Sequence, residues 1–212
     1  MQLSRVPEPR VIPMFPLGTV LFPHALLPLR VFEPRYCVMT ERVLKAEREF
    51  GVVLIERGSE VGGGDTRFDV GTVAQIVRAQ PLRDGGYVLA TVGIRRVRVA
   101  RWLPDDPYPQ AEVVDFPDAE PDPNAATGVV RDRARDALED VCAIYRQRDP
   151  RVPHLPPVAD DPVQASYELA ALAPIGPLDA QRLLESPAAP ERLLQLAELL
   201  DDHARLLRDG AS

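Results

Sequence analysis

The sequence is almost without lysine: Lys45 is the single lysine among 25 basic residues, and the other 24 are arginine. A phosphate-binding P-loop requires Gly-Lys-Ser/Thr, because its lysine contacts the β- and γ-phosphates. Lys45 lies between Leu44 and Ala46, so the sequence contains no such loop. Lysine-activated serine hydrolysis and Schiff-base chemistry would both depend on this same residue. The composition therefore argues against an ATPase and against a lysine-dependent enzyme.

Long apolar runs are also missing. No segment approaches the roughly 20 apolar residues that span a bilayer, and the N-terminus shows no apolar signal segment. We therefore expect a cytoplasmic protein with no membrane partner. The two cysteines, Cys37 and Cys142, are far apart in the sequence. A chain of 212 residues does not need a disulfide to stabilise its core, so we expect both thiols to be reduced.

The net charge is −7 and is distributed unevenly. Residues 1–100 carry a net charge of +4, whereas residues 101–212 carry −11. An acidic chain repels phosphate groups at long range, because its summed field is negative. We therefore expect no nucleic-acid partner.

Residues that could carry catalysis or bind a metal are few and scattered. No serine lies in a G-x-S-x-G sequence; Ser186 is expected to cap a helix instead. Cys37 has no evident base near it in the sequence, so we interpret it as a small core residue. Residues 118–124 alternate acidic groups like a calcium loop, but Pro123 replaces the required glycine. The three histidines lack zinc-ligand spacing. We predict no enzyme, no metal and no other cofactor.

Proline, by contrast, is abundant, with 23 residues. Several prolines interrupt the apolar segments 11–16 and 25–32, which we therefore predict to be edge or bulged strands. Pro34 is expected to begin a helix with an apolar stripe that extends to Ala46. Further strands are predicted at 50–55, 70–79, 87–100 and 108–114, with a hairpin at Asp84–Gly86. These elements indicate a partly open six-stranded β-barrel with one helix.

The second half changes from a period of 2 to a period of 3.6. A long helix with Val130, Ala134, Ala137, Val141 and Ile144 on one face is expected first. Three shorter or later helices should begin at Asp161–Pro162, after Pro177 and near Ser186–Pro190. The sequence therefore predicts an α+β protein with three parts: a β-rich subdomain over 1–117, a linker over 118–124 and a helical bundle over 125–212.

Two surface features are candidates for function. The segment 22–27 is rich in large apolar groups, and a soluble monomer rarely exposes such a patch without use; core packing is the alternative. Arg96 and Arg98 alternate with valines, so we expect a solvated strand face.

The segments 12–23 and 27–36 resemble the opening of the N-terminal substrate-binding domain of Lon proteases. Segments 50–54, 70–74, 93–97 and 108–113 follow that domain in order, and the helical segments 183–185 and 191–194 resemble its second half. The similarity covers about residues 10–208. It implies the fold of that family, a PUA-like pseudobarrel followed by a helical bundle.

In full-length Lon, this domain engages unfolded or tagged substrates and passes them to an ATPase. The resemblance therefore implies a stand-alone, non-catalytic module that binds unfolded or partner polypeptides. Two alternatives stay open. The chain is an accessory factor of a separate protease or ATPase, or it is a small-molecule binder that uses the cleft between the subdomains. The sequence leaves the oligomeric state open. The candidate contacts are the loop 58–66 together with Phe22, Pro23, Leu26, Arg30 and Arg35. Arg30 and Arg35 are alternatively interpreted, with Glu33, as ion-pairing residues that fix the corner between strand and helix.

Overall fold

The computed structural model describes residues 8–57, 66–120 and 126–210. Its contacts divide the chain into two compact units, Met1–Pro117 and Asp118–Ser212. The first unit holds the strands and one helix, and the second holds helices. In the first unit the elements are β1 (Arg10–Leu17), β2 (Leu26–Val31), α1 (Pro34–Leu44), β3 (Glu49–Arg57), β4 (Thr66–Pro81), β5 (Tyr87–Leu103) and β6 (Gln110–Asp115).

The strands form a mixed sheet in the order β2-β5-β4-β3-β1-β6, with an additional pairing between β5 and β6. That pairing closes five strands into a ring and leaves β2 attached to β5. Strands β1 and β3 are parallel, and the other pairs are antiparallel. The sequence-based prediction of a six-stranded, partly open barrel with one helix is confirmed.

The sequence predicted that the proline-containing strand β1 would be an edge or bulged strand. In the structure, β1 instead lies between β3 and β6. That expectation was wrong for β1 and correct for β2, which ends the strand order. The reason is a change of partner along β1. Residues Arg10–Pro13 pair with β6, and residues Met14–Leu17 pair with β3. Pro13 and Pro16 therefore each lie where the ladder has one partner, and each proline can withhold its donor.

Helix α1 begins at Pro34, as predicted, and packs its apolar face on the strands. Tyr36, Met39 and Val43 are buried, and the Tyr36 ring stacks on Phe15 with centroids 4.1 Å apart. Fully burying a side chain of this size contributes about 1.5–3 kcal/mol. The predicted stripe ends earlier than expected, because α1 ends at Leu44 and Ala46 is exposed.

The second unit contains α2 (Thr127–Arg148), α3 (Pro162–Leu172), α4 (Pro177–Glu185) and α5 (Ala189–Asp209). Each helix lies where the sequence predicted it. Asp161 caps α3 by accepting a hydrogen bond of 2.8 Å from the Gln164 N–H. Ser186 does not cap α5, since it lies at the C-terminal cap of α4 and α5 is preceded by Ala188. Of the expected linker, residues 121–124 lie outside the described residues.

A buried guanidinium group joins three helices of this unit. Arg192 on α5 is fully buried and donates hydrogen bonds of 2.6 Å to Asp118 Oδ1 and to Ser166 Oγ. It also donates to the Leu183 carbonyl oxygen at 3.1 Å. The Tyr167 hydroxyl donates to the other oxygen of Asp118, and the Tyr167 ring lies 3.9 Å from the guanidinium carbon. A buried charge is tolerated when it is paired and hydrogen-bonded in this way.

Replacing Arg192 by methionine should destabilise the chain strongly. The Asp118 carboxylate, which is only 11% exposed, would lose its counter-ion, and breaking a buried ion pair in this way costs about 3–5 kcal/mol of unfolding free energy. The measurement is urea-induced unfolding followed by far-UV circular dichroism. Arg182→Met is the control, because Arg182 forms an exposed ion pair of 3.0 Å with Asp179 and such pairs contribute about 0–1 kcal/mol. Equal losses in the two variants would contradict the prediction.

Candidate functional site

The register of β2 against β5 sorts their side chains onto two faces. Leu26 opposes Val92, and Arg30 opposes Val88. Directly opposite residues of an antiparallel pair share a face, and successive residues alternate between faces. The inward positions pack on the apolar core beneath this part of the sheet; they include Leu27, Leu29, Val31, Ile76, Ala79, Tyr87 and Leu89. The other face of these strands is turned away from that core.

The outward face carries exposed apolar side chains. Leu26 is 76% exposed, Val77 is 56% exposed and Val88 is 42% exposed. Val77 lies at an irregularity where the pairing of β4 with β5 shifts register. A contiguous exposed apolar area of this kind marks an interaction surface. We call this surface the outer patch; its apolar residues are Leu26, Pro28, Val77, Val88, Ala90 and Val92.

The chain before β2 is fixed in place by backbone hydrogen bonds to β5. The His24 N–H donates to the Gly93 carbonyl oxygen at 2.8 Å, and the Gly93 N–H donates to the Ala25 carbonyl oxygen at 2.9 Å. Thr72 Oγ1 donates to the Leu21 carbonyl oxygen at 2.5 Å. His24 adopts a φ of 66°, a left-handed conformation that this tight turn requires. These bonds set where β2 begins and therefore where Leu26 lies.

The candidate contact residues fall into three groups. Leu26 and Arg30 lie on the outer face. Phe22 is only 3% exposed and Pro23 is buried, so they present little surface to a ligand. Arg35 is partly buried; its Nε lies 3.2 Å from the Glu33 carboxylate, and its guanidinium lies over the Tyr36 ring. Its position fixes the corner between β2 and α1.

Several patch residues were missed by reasoning from the sequence. The available signal was the run Val88-Leu89-Ala90, which is apolar at consecutive positions rather than at alternate ones. In a strand, such a run indicates two apolar faces. Of the proposed contact loop, residues 58–65 lie outside the described residues.

The arginines of β5 differ from expectation in one respect. Arg96 was expected on a solvated face, but it is only 3% exposed, which corrects that prediction. Its guanidinium carbon lies 4.4 Å from the centre of the Phe116 ring, and that of Arg98 lies at the same distance. The aromatic ring after β6 shields Arg96, a contact that alternation along β5 does not reveal.

The two thiols are held in their protonated form. Burial raises the pKa of Cys37, and the negative charges of Glu41 and Asp84 raise it further. Burial also raises the pKa of Cys142. Since the thiolate is the nucleophile, neither group is activated at neutral pH.

Within the described residues, no cluster of three or more His, Cys, Asp or Glu side chains is arranged to hold a metal ion. None of the helices within those residues is both long enough and apolar enough to cross a membrane.

In chain order, a ring of mixed strands with exposed apolar side chains is followed by helices α2 to α5. Residues 11–202 match the family model described as the ATP-dependent protease La (LON) substrate-binding domain. The match covers most of the chain, and the chain belongs to this family.

Relatives and solved structures agree with this assignment. The chain is similar to the Lon proteases of Cytophaga hutchinsonii, with 29% identity over 97% of the chain, and of Roseiflexus castenholzii, with 30% identity over 95%. It spans 26% and 25% of those relatives' lengths. The Lon N-terminal domain protein from Xanthomonas campestris is 28% identical, with a TM-score of 0.62, and the match covers 88% of this chain and 96% of that one. The N-terminal domain of Mycobacterium avium complex Lon protease is 18% identical, has a TM-score of 0.62 and shares the fold, over 92% of this chain and 100% of that one.

The close approach at Gly93 predicts a large effect of a small substitution. A Cβ at Gly93 would collide with the Phe22 carbonyl oxygen and would lie 3.0 Å from Thr72 Cγ2. Gly93→Ala should therefore lower the unfolding free energy by about 1–3 kcal/mol, measured by urea denaturation. Gly128→Ala is the control, because nothing lies within 4 Å of a Cβ there and alanine favours a helix by about 1 kcal/mol. A neutral or stabilising Gly93→Ala would contradict the proposed anchoring of this loop.

The raised pKa of Cys37 predicts slow alkylation. In Cys142→Ser, the iodoacetamide reaction at pH 7.5 should be slower than that of glutathione, because a raised pKa leaves less thiolate at neutral pH. The rate should still increase above pH 9, since 9.0 is the ordinary value from which the pKa is raised. Mass spectrometry of timed samples gives the rates. A plateau below pH 8 would show an activated thiol and contradict this assignment.

Proposed function

We propose that this chain is a non-catalytic module that binds unfolded or partner polypeptides through the outer patch. The observation that carries the proposal is Leu26, a large apolar side chain that is 76% exposed at a backbone position fixed by the turn at His24. The family to which the chain belongs is described as a substrate-binding domain, which supports a polypeptide as the ligand.

The physical basis is burial of apolar surface. Removing apolar area from water contributes about 25 cal/mol per Å², and association must first offset the loss of translational and rotational freedom. A patch of six small to medium side chains leaves a modest surplus, so we expect dissociation constants in the micromolar range, about −8 kcal/mol. Weak binding of this kind suits a module that must also release its polypeptide.

The edge of β2 bears on how a polypeptide binds. Within the described chain, β2 has β5 as its one neighbour in the strand order, and an open edge can accept an added strand. Pro28 lies in the middle of β2 and has no N–H to donate, which interrupts such a ladder. We therefore assign binding to the side chains of the patch rather than to strand addition.

The same proposal extends to a role in protein quality control, either alone or beside a separate protease or ATPase. Its support is that the relatives are named Lon proteases and that the matching region makes up about a quarter of their length. The two free cysteines fit the reducing conditions of the cytoplasm. The protonated thiols support a binding role without bond cleavage.

Immobilised protein should retain reduced, carboxymethylated α-lactalbumin, which is permanently unfolded, and should not retain native α-lactalbumin. Leu26→Ser should weaken binding roughly tenfold, because partial burial of the leucine side chain by the bound polypeptide contributes about 1.5 kcal/mol to the binding free energy. Surface plasmon resonance over a concentration series gives the affinities.

Leu206→Ser is the matched control, since Leu206 is 72% exposed and lies on α5 in the second unit. It should bind like the unsubstituted chain. If the unsubstituted chain retains neither form of α-lactalbumin, the proposed function is wrong. If both leucine variants lose affinity equally, the outer patch is not the binding surface.

A further inference from the structure

The outer patch is flanked by two arginines. Arg30 on β2 opposes Val88, and Arg78 on β4 opposes Ala90. Both arginines are exposed. Because opposite residues share a face, the two guanidinium groups lie on the same side of the sheet as the apolar residues. The rows of opposite residues that cross β2, β5 and β4 here hold no other charged residue on these three strands; the other members are Leu26, Gln75, Pro28, Gln80, Val88, Ala90 and Val92. On the next strand, Glu49 opposes Gln75 and forms an ion pair with Arg95.

The two guanidinium groups are available to a ligand. Arg30 lies 3.5 Å from the Asp84 carboxylate, and both side chains are more than half exposed. Such an exposed pair contributes about 0–1 kcal/mol, so a carboxylate of a bound polypeptide can replace Asp84 at little cost. Arg78 forms no ion pair with any residue in the described part of the chain.

The spacing of the two arginines suits an extended polypeptide. Strand β5 lies between them, so they are two strand spacings apart across the sheet, and they are offset by two residues along the strands. Together these separations place their Cα atoms about 12 Å apart. Residues i and i+4 of an extended segment share a face and are about 13 Å apart. Two carboxylates at these positions, with an apolar side chain at i+2 between them, would complement both arginines and the patch.

Arginine is also the suitable cation for this contact. Its planar group can bind a carboxylate through two parallel hydrogen bonds, which a lysine ammonium cannot do. The chain as a whole carries a charge of −7, so long-range attraction of an acidic segment is not expected. At physiological ionic strength that field is screened within about 8 Å, and the short-range pairs decide the preference.

We propose that the outer patch selects extended polypeptide segments in which acidic residues flank apolar ones with a spacing of i and i+4. This inference rests on the proposed function and adds the chemistry of the segment that the same surface prefers. The attractive elements are Arg30 and Arg78, and a basic segment is rejected by the same two charges.

Three fluorescein-labelled peptides test the preference by fluorescence anisotropy with the full chain. The peptides have twelve residues and the same apolar positions, and they carry glutamate, glutamine or lysine at the i and i+4 positions. We expect the glutamate peptide to bind tightest and the lysine peptide weakest, with roughly threefold to tenfold between successive peptides. The difference should shrink at 0.5 M NaCl, because exposed charges are screened.

Arg78→Gln should remove about half of the free-energy difference between binding of the glutamate and glutamine peptides, because one of the two arginine–carboxylate pairs is lost. Arg30→Gln provides a second, independent variant at the other margin of the patch. Arg205→Gln is the control with the same change of charge, because Arg205 is exposed on α5 and pairs with Asp202; it should keep the preference.

The outcomes separate this inference from the proposed function. If unfolded α-lactalbumin is retained but the three peptides bind equally, the charge preference is wrong and the binding function stands. The same conclusion follows if the lysine peptide binds tightest, or if none of the peptides binds. If α-lactalbumin is not retained, the proposed function itself fails.

Discussion

The pairing of β5 with three strands is the constraint on which the first unit depends. The N-terminal part of β5 pairs with β2, and its C-terminal part pairs with β6. Strand β4 pairs along most of β5, and this pairing contains two register shifts. Irregularities of this kind bend and twist a strand, which lets one strand serve both the ring and the extension formed by β2. A slip of one residue would exchange the two faces of the strand. The register that buries Leu89 therefore also exposes Val88.

The two units are stabilised by different means. In the first unit, backbone hydrogen bonds between strands and two buried apolar clusters stabilise the sheet. The positions of the patch residues on β2 and β5 are set by backbone pairing between these strands. An exposed side chain on a rigid strand loses little conformational freedom of the backbone when a ligand covers it. In the second unit, an apolar helical interior surrounds the buried guanidinium group of Arg192. Substitutions on the patch should therefore alter binding with little effect on folding.

Local signals predicted most of the fold. Pro34 begins a helix, and Asp84–Gly86 forms a hairpin turn. Both features are determined by residues adjacent in sequence, so they can be recognised from the sequence alone. The environment of Phe22 depends on a distant strand that approaches its backbone, and that of Arg96 depends on an aromatic ring about twenty residues later in the chain. Similarly, the tolerance of Pro16 within β1 depends on which strands pair with it. Contacts between residues far apart in sequence leave no local pattern, and these are the features that sequence reasoning placed wrongly or missed.

The partner of Arg192 also limits how the polypeptide can be dissected. Asp118 is the first residue of the second unit, and its carboxylate is held by Arg192 and Tyr167 inside that unit. A fragment begun at Thr127, the first residue of α2, would carry Arg192 in its interior without Asp118 to neutralise its charge. Any recombinant version of the helical half must therefore retain Asp118 and the residues that connect it to α2.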